Sequence, residues 1–181
     1  MRTPLLLALG VLSVVAVAFV VALLVLGSGD RYRVPTTSME PTIPAGSEVT
    51  VHEDTSPALG DVVLYHPPAG GETGECAQAP AARQMCAVPG QRASGERFIG
   101  RVVAGPGDEV TMADGIVTRD GRPVDEAYAQ GCGDPAACDF ATALKIPQGH
   151  YLVLGDNRIE ANDSRFFGPI SADWIDGRVD D

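Results

Sequence analysis

Phe98-Ile99-Gly100-Arg101-Val102-Val103-Ala104-Gly105-Pro106-Gly107-Asp108 decides the fold class. A run dominated by β-branched and aromatic residues ends in a Pro-Gly-Asp turn, the pattern of a strand that stops sharply. The same grammar recurs on both sides of it. Glu48–His52, Asp61–His66, Glu109–Met112, Ile116–Arg119 and Tyr151–Leu154 are short β-prone runs. Asp114-Gly115 and Asp120-Gly121 have the residue types that close tight hairpins, and Gly60-Asp61 and Gly155-Asp156 punctuate strand ends. Beyond residue 26 no helical apolar period lasts more than about two turns. The expected fold is mostly β, a folded sheet or barrel. Residues 69–97, rich in Ala, Gly, Pro and Gln, read as a loop insertion within it.

The N-terminal part differs in kind. Leu5 to Leu26 is a run of 22 uncharged residues. As a helix it is roughly 33 Å long, enough to cross a hydrocarbon core of about 30 Å. A cleavable leader is the rival reading, with Leu26-Gly27-Ser28 as a loose cleavage site, but leader cores are typically only about 7–15 residues. The expectation is a short cytoplasmic segment 1–4, a transmembrane anchor 5–26 and an extracytoplasmic β domain 27–181, with Gly27–Asp30 as linker. Arg2 on one side and Arg31 and Arg33 on the other leave the positive-inside rule undecided.

Cys76, Cys86, Cys132 and Cys138 bear on orientation. Four cysteines in two close pairs suit disulfides in an oxidising compartment, which puts the domain outside the cytoplasm. Of three connectivities, Cys76–Cys86 with Cys132–Cys138 is the expected one. Zinc is the alternative, but the spacings depart from the usual C-x2-4-C pattern and no nearby histidine completes a set. No metal or cofactor is expected. A net charge of −11 without any basic stripe argues against a nucleic-acid partner.

Chemistry enters at Thr36-Thr37-Ser38-Met39-Glu40-Pro41-Thr42, a hydroxyl-rich turn about ten residues past the apolar run. Alone, such a turn is an ordinary one. With Gly60-Asp61-Val62-Val63-Leu64-Tyr65, the run Phe98–Asp108, Gly155-Asp156-Asn157-Arg158 and Asn162-Asp163-Ser164-Arg165-Phe166-Phe167-Gly168, in that order, the chain resembles the type I signal peptidases. These are membrane-anchored serine proteases that remove signal peptides from exported preproteins. The resemblance covers nearly the whole chain. It implies a signal-peptidase-like β domain against membrane lipid, with Ser38 as nucleophile and a neutral lysine as general base. It also implies that Thr36, beside the Ser38 backbone N–H, serves the oxyanion, and that Arg101, Asp163 and Arg165 support the site. Val34, Met39, Ile43 and Ile99 match the family's shallow pockets for small residues one and three positions before the cut (Ala-X-Ala sites). An extended substrate bound along a strand edge would gain affinity from main-chain hydrogen bonds.

The chain departs from this family where the chemistry is most demanding. Gly100 stands at the position of the base lysine, and Ala161 where the family often has a serine. A solvated lysine, with a pKa near 10.4, must be buried before it can accept a proton at neutral pH; a glycine offers no acceptor. Lys145 (the only lysine), His52, His66 and His150 are the substitute bases to consider, and none occupies the third motif. Two readings follow from the resemblance. One is a signal-peptide-cleaving endopeptidase with a missing or non-standard base. The other is an impaired homologue that binds exported peptides or assists surface assembly. A self-cleaving repressor of the LexA type shares Ser-Lys chemistry but needs a DNA-binding helical domain.

Overall fold

Strands carry most of the regular structure, and they sort into two antiparallel sheets. In the computed structural model the described residues are 29–53, 56–74, 76, 78–80, 84–133 and 138–180. The expected anchor Leu5–Leu26 lies outside them. Among the described residues no helix is long and apolar enough to cross a membrane. The chain divides into two units, Met1–Asp30 and Arg31–Asp181, and the second contains the features described below.

The larger sheet contains β1 (Asp30–Arg33), β2 (Glu48–His52), β3 (Val62–Tyr65), β4 (Phe98–Ala104), β9 (His150–Leu154), β10 (Ile170–Ser171) and β11 (Ile175–Val179). Their spatial order is β1-β2-β11-β3-β4-β9-β10. The smaller sheet runs β7-β6-β5-β8, built from β5 (Glu109–Ala113), β6 (Ile116–Arg119), β7 (Arg122–Pro123) and β8 (Phe140–Lys145). Its hairpins turn where expected. Asp114 and Gly115 have φ of 50° and 80°, and Asp120 and Gly121 have 50° and 73°. Positive φ at both central residues matches the right-handed twist of the flanking strands, which is why Asp-Gly is favoured there.

The expected runs 48–52, 98–104 and 116–119 form strands with those bounds, and the other three shift by one or two residues. Asp30, the last residue of the expected linker, already begins β1. β1, β7, β8, β10 and β11 have no counterpart among the expected runs. β11 reads Ile-Asp-Gly-Arg-Val, with Asp and Gly both poor strand formers. It pairs on both sides, with β2 and β3, so tertiary pairing overrides weak local preference.

β3 and β4 are covered on both faces, which explains their nearly continuous apolar sequences. On one face Val62, Leu64 and Ile99 pack with Val34, Met39, Ile43, Val49 and Val51. On the other, Val63, Tyr65 and Val102 pack with Val153, Phe167, Ile170 and Ile175. The turn bearing Ser38 therefore caps one side of the sheet and the segment 164–175 caps the other. Cys76–Cys86 and Cys132–Cys138 are joined as disulfides, the sequence-local pairing.

Candidate active site

Ser38 sits half-buried in a turn between β1 and β2 whose shape comes from its own residues. The Glu40 N–H donates to Thr37 O (3.1 Å) and the Ile43 N–H to Met39 O (2.9 Å). Met39, fully buried, pins the turn into the apolar cluster. Neighbouring segments then hold the backbone from outside. The Asn157 N–H donates to Ser38 O (3.0 Å), and Asn157 Nδ2 donates to Thr37 O (3.2 Å). Gly155 has no room for a side chain, since a Cβ there would stand 2.7 Å from Ser38 O. Glycine is required at that point by close approach rather than by φ.

The Ser38 hydroxyl faces the Thr36 hydroxyl, with Oγ to Oγ1 at 3.0 Å. The Ser38 N–H also points at Thr36 Oγ1, at 3.5 Å. Two side-chain hydroxyls and a backbone donor are thus gathered at one spot. They open on a cleft of about 300 Å³ lined by Tyr32, Pro35, Glu96–Ile99, Gly155 and residues 160–163, with the Tyr32 hydroxyl donating to Arg97 O at 3.2 Å. A larger hollow of about 520 Å³ lies between Pro68, Gly90 and Phe167. Among the described residues its one charged liner is Arg92, and its Cys76 is in a disulfide.

Beneath the cleft lie charged pairs almost sealed from water. Asp163 caps the short helix α1 (Ser164–Phe167), its Oδ1 accepting the Arg165 N–H at 3.1 Å. The same carboxylate accepts Arg165 Nε at 2.8 Å and Nη2 at 2.9 Å, while its Oδ2 accepts the Gly155 N–H at 3.0 Å. Asp163 thereby ties α1 to the glycine that touches Ser38. The partner carboxylate of Arg101 is Asp156, in a bidentate pair at 3.0 and 2.8 Å, with Tyr128 stacked over the guanidinium at 4.2 Å. Arg158 forks onto Glu126 and donates to Gly155 O at 3.0 Å. Charges this buried are stable only when paired and hydrogen-bonded, and each of these pairs meets that condition.

Burial also acts on two phenols. It pushes Tyr65 well above its ordinary range, with the Asp163 carboxylate adding to the effect. It pushes Tyr128 up as well, helped by the charge of Glu126.

The substitute bases lie elsewhere. His52 pairs with Asp180 at 2.9 Å, and His66 contacts Ser94 O at 3.0 Å and Asp176 at 3.3 Å. His150 contacts Gln148 O at 2.9 Å, and Lys145 stands opposite Glu109 in the smaller sheet. None of the four lines the Ser38 cleft. Gly100 is buried in β4, and its surroundings are filled. A Cβ there would meet Val153 Cγ1 at 2.8 Å, Leu154 O at 3.2 Å and Tyr65 Cε1 at 3.4 Å. Ala161 is buried at the end of the cleft. Of the expected pocket residues Ile99 lines the cleft, whereas Val34, Met39 and Ile43 are buried in the cluster beneath it. Tyr32, Glu96 and Glu160 line the cleft without any motif to announce them.

Among the described residues no group of three or more His, Cys, Asp or Glu is arranged to hold a metal ion. A serine with a second hydroxyl beside it, at the mouth of a cleft in a mostly β domain, is an arrangement that suits a serine hydrolase. The chain belongs to the signal peptidase family, peptidase S26, whose family model matches residues 6–180. Its class is therefore that of the signal-peptidase proteases. It is 34% identical over 158 residues to a probable signal peptidase I-1 of Synechocystis, covering 84% of this chain and 70% of the relative. It is 29% identical over 185 residues to signal peptidase IB of Staphylococcus aureus, covering 91% and 83%. A solved structure of a signal peptidase I from Enterococcus faecalis aligns with a TM-score of 0.46 at 20% identity, over 70% of this chain and 98% of that one.

Proposed function

We propose that this protein cleaves signal peptides from exported preproteins after Ala-X-Ala-type sites, with Ser38 as the attacking nucleophile. The observation that carries the reading is the 3.0 Å approach of the Ser38 and Thr36 hydroxyls at the cleft. Ser38 Oγ attacks the scissile carbonyl, the C–N bond breaks and the mature protein leaves as the protonated amine, and water then hydrolyses the acyl ester, releasing the signal peptide's carboxylate and restoring the Ser38 hydroxyl. Thr36 Oγ1–H and the Ser38 N–H serve the developing oxyanion, for which the Thr36 hydroxyl turns its proton toward the substrate. The Asp163–Arg165 pair supports the site by holding Gly155 against the Ser38 turn. The small residues of the substrate enter beside Ile99, over a floor formed by Met39 and its neighbours. The Leu5–Leu26 segment anchors the chain in the membrane. Both disulfides support an extracytoplasmic domain, since such bonds persist in oxidising compartments.

The general base in this reading is non-standard. Gly100 takes the place of the family's lysine, and the packing of Val153 and Tyr65 around it leaves no slot for a long side chain. That packing is what favours the second reading, a peptide-binding homologue without turnover. The family match and the names of the relatives favour the enzyme.

The deciding experiment incubates the purified full chain, in detergent, with a preprotein bearing an Ala-X-Ala site. Processing that disappears in Ser38→Ala supports the enzyme. A wild-type protein that never processes, while still binding the preprotein, supports the second reading.

A further inference from the structure

The cleft beside Ser38 carries more charge than the recognition of small apolar residues requires. Among the described residues four charged ones line it: Glu96, Arg97, Glu160 and Asp163. Asp163 is neutralised by the buried Arg165, which holds it at 2.8 and 2.9 Å. Arg97 is drawn aside to Asp176, its Nε lying 3.5 Å from Oδ2, although Tyr32 also feels its charge. Glu96 and Glu160 remain. Both are exposed and, among the described residues, neither is in an ion pair; they come to the cleft from distant segments, Glu96 before β4 and Glu160 just after the Gly155–Arg158 motif.

We infer that the cleft selects peptides carrying a lysine or arginine close to the small residues at the cut, read by Glu96 and Glu160. The inference deepens the proposed peptide-processing role and rests on it. A cation in a cleft lined by both carboxylates gains Coulomb energy from each, whereas an acidic residue there meets like charge from both. The overall charge of −11 works in the same direction at long range, drawing basic peptides to the domain. Because both carboxylates are exposed, each contributes modestly. Exposed pairs of this kind correspond to roughly 1.5- to 5-fold in affinity apiece.

The test measures binding, so it does not depend on turnover. Fluorescent peptides share one Ala-X-Ala core, with Lys, Gln or Glu placed in turn at each flanking position. They are titrated by anisotropy against the full-length Ser38→Ala protein in a neutral detergent. At one or more positions the Lys peptide is expected to bind several-fold more tightly than the Glu peptide, with Gln between them. The preference should shrink in Glu96→Gln and in Glu160→Gln, and fade as salt rises from about 50 to 500 mM, where screening shortens to a few ångströms. Equal binding of Lys and Glu peptides at every position overturns this inference alone. So does a preference that survives in the double glutamine variant. Failure of all the peptides to bind overturns it together with the peptide-processing role.

Discussion

Gly100→Lys is the substitution that the family resemblance invites, and the packing around position 100 says what it will do. The new Cβ would lie 2.8 Å from Val153 Cγ1 and 3.2 Å from Leu154 O, against about 3.4–4 Å for an ordinary contact. Neither neighbour retreats easily. Val153 is fully buried and β-branched, with little χ1 freedom. β9 is registered against β4 at Arg101↔Leu154 and Val102↔Val153, so moving it strains the ladder. Overpacking of this kind costs about 1–3 kcal/mol. For a domain of this size it lowers the melting temperature by about 2–4 °C per kcal/mol. The amine would be desolvated as well, which lowers its pKa and suits it to act as a base.

Val153→Ala removes the obstructing methyl groups and leaves space that lysine methylenes can fill. The double variant Gly100→Lys/Val153→Ala should therefore be more stable than the two single effects predict, by a coupling of about 0.5–3 kcal/mol. It should also process the preprotein faster than Gly100→Lys alone. Thermal unfolding of the four proteins, followed by a preprotein-cleavage assay on each, reads both effects. A single Gly100→Lys variant as stable as the wild type would refute the packing argument, as would additive effects within about 0.5 kcal/mol.

Three further outcomes are expected. Thr36→Val should lower kcat on a fluorogenic Ala-X-Ala peptide by about 10²–10³, the usual loss for one oxyanion donor, while Thr36→Ser keeps most of it; equal rates for the two would remove Thr36 from the oxyanion role. Glu126→Ala leaves the sealed Arg158 guanidinium without its carboxylate and should cost about 3–5 kcal/mol, visible as a lower denaturant midpoint. An unchanged midpoint would mean that water reaches Arg158. Stability should also be flat with respect to tyrosine ionisation below pH 10 and fall above it. Tyr65 and Tyr128 keep their protons in the folded state at pH values where unfolded phenols, with pKa near 10, release them. The unfolded state then binds fewer protons, so unfolding becomes easier as pH rises. Tyr65→Phe should flatten that alkaline limb, and an identical limb in the variant would rule Tyr65 out as its source.

The sequence by itself determined the strands whose residues agree with their surroundings. Phe98–Ala104 is apolar enough to be buried on both faces, and the Asp-Gly pairs suit the left-handed φ values of their hairpins. It also singled out the proposed nucleophile and its neighbours, because Thr36, Thr37 and Ser38 are local in the chain and their geometry follows from one turn. β11 stayed hidden, since Ile-Asp-Gly-Arg-Val has little intrinsic strand preference and is made a strand by partners over a hundred residues away. Tertiary structure alone decided the rest of the site. It brought Gly155 and Asn157 against the Ser38 turn, and it put Glu96 and Glu160 on the walls of one cleft. It also filled the space beside Gly100 with Val153, a residue 53 positions further along the chain. The sequence could say that the glycine has no side chain to accept a proton. Whether a side chain fits there depends on close packing between distant segments, which local sequence does not encode.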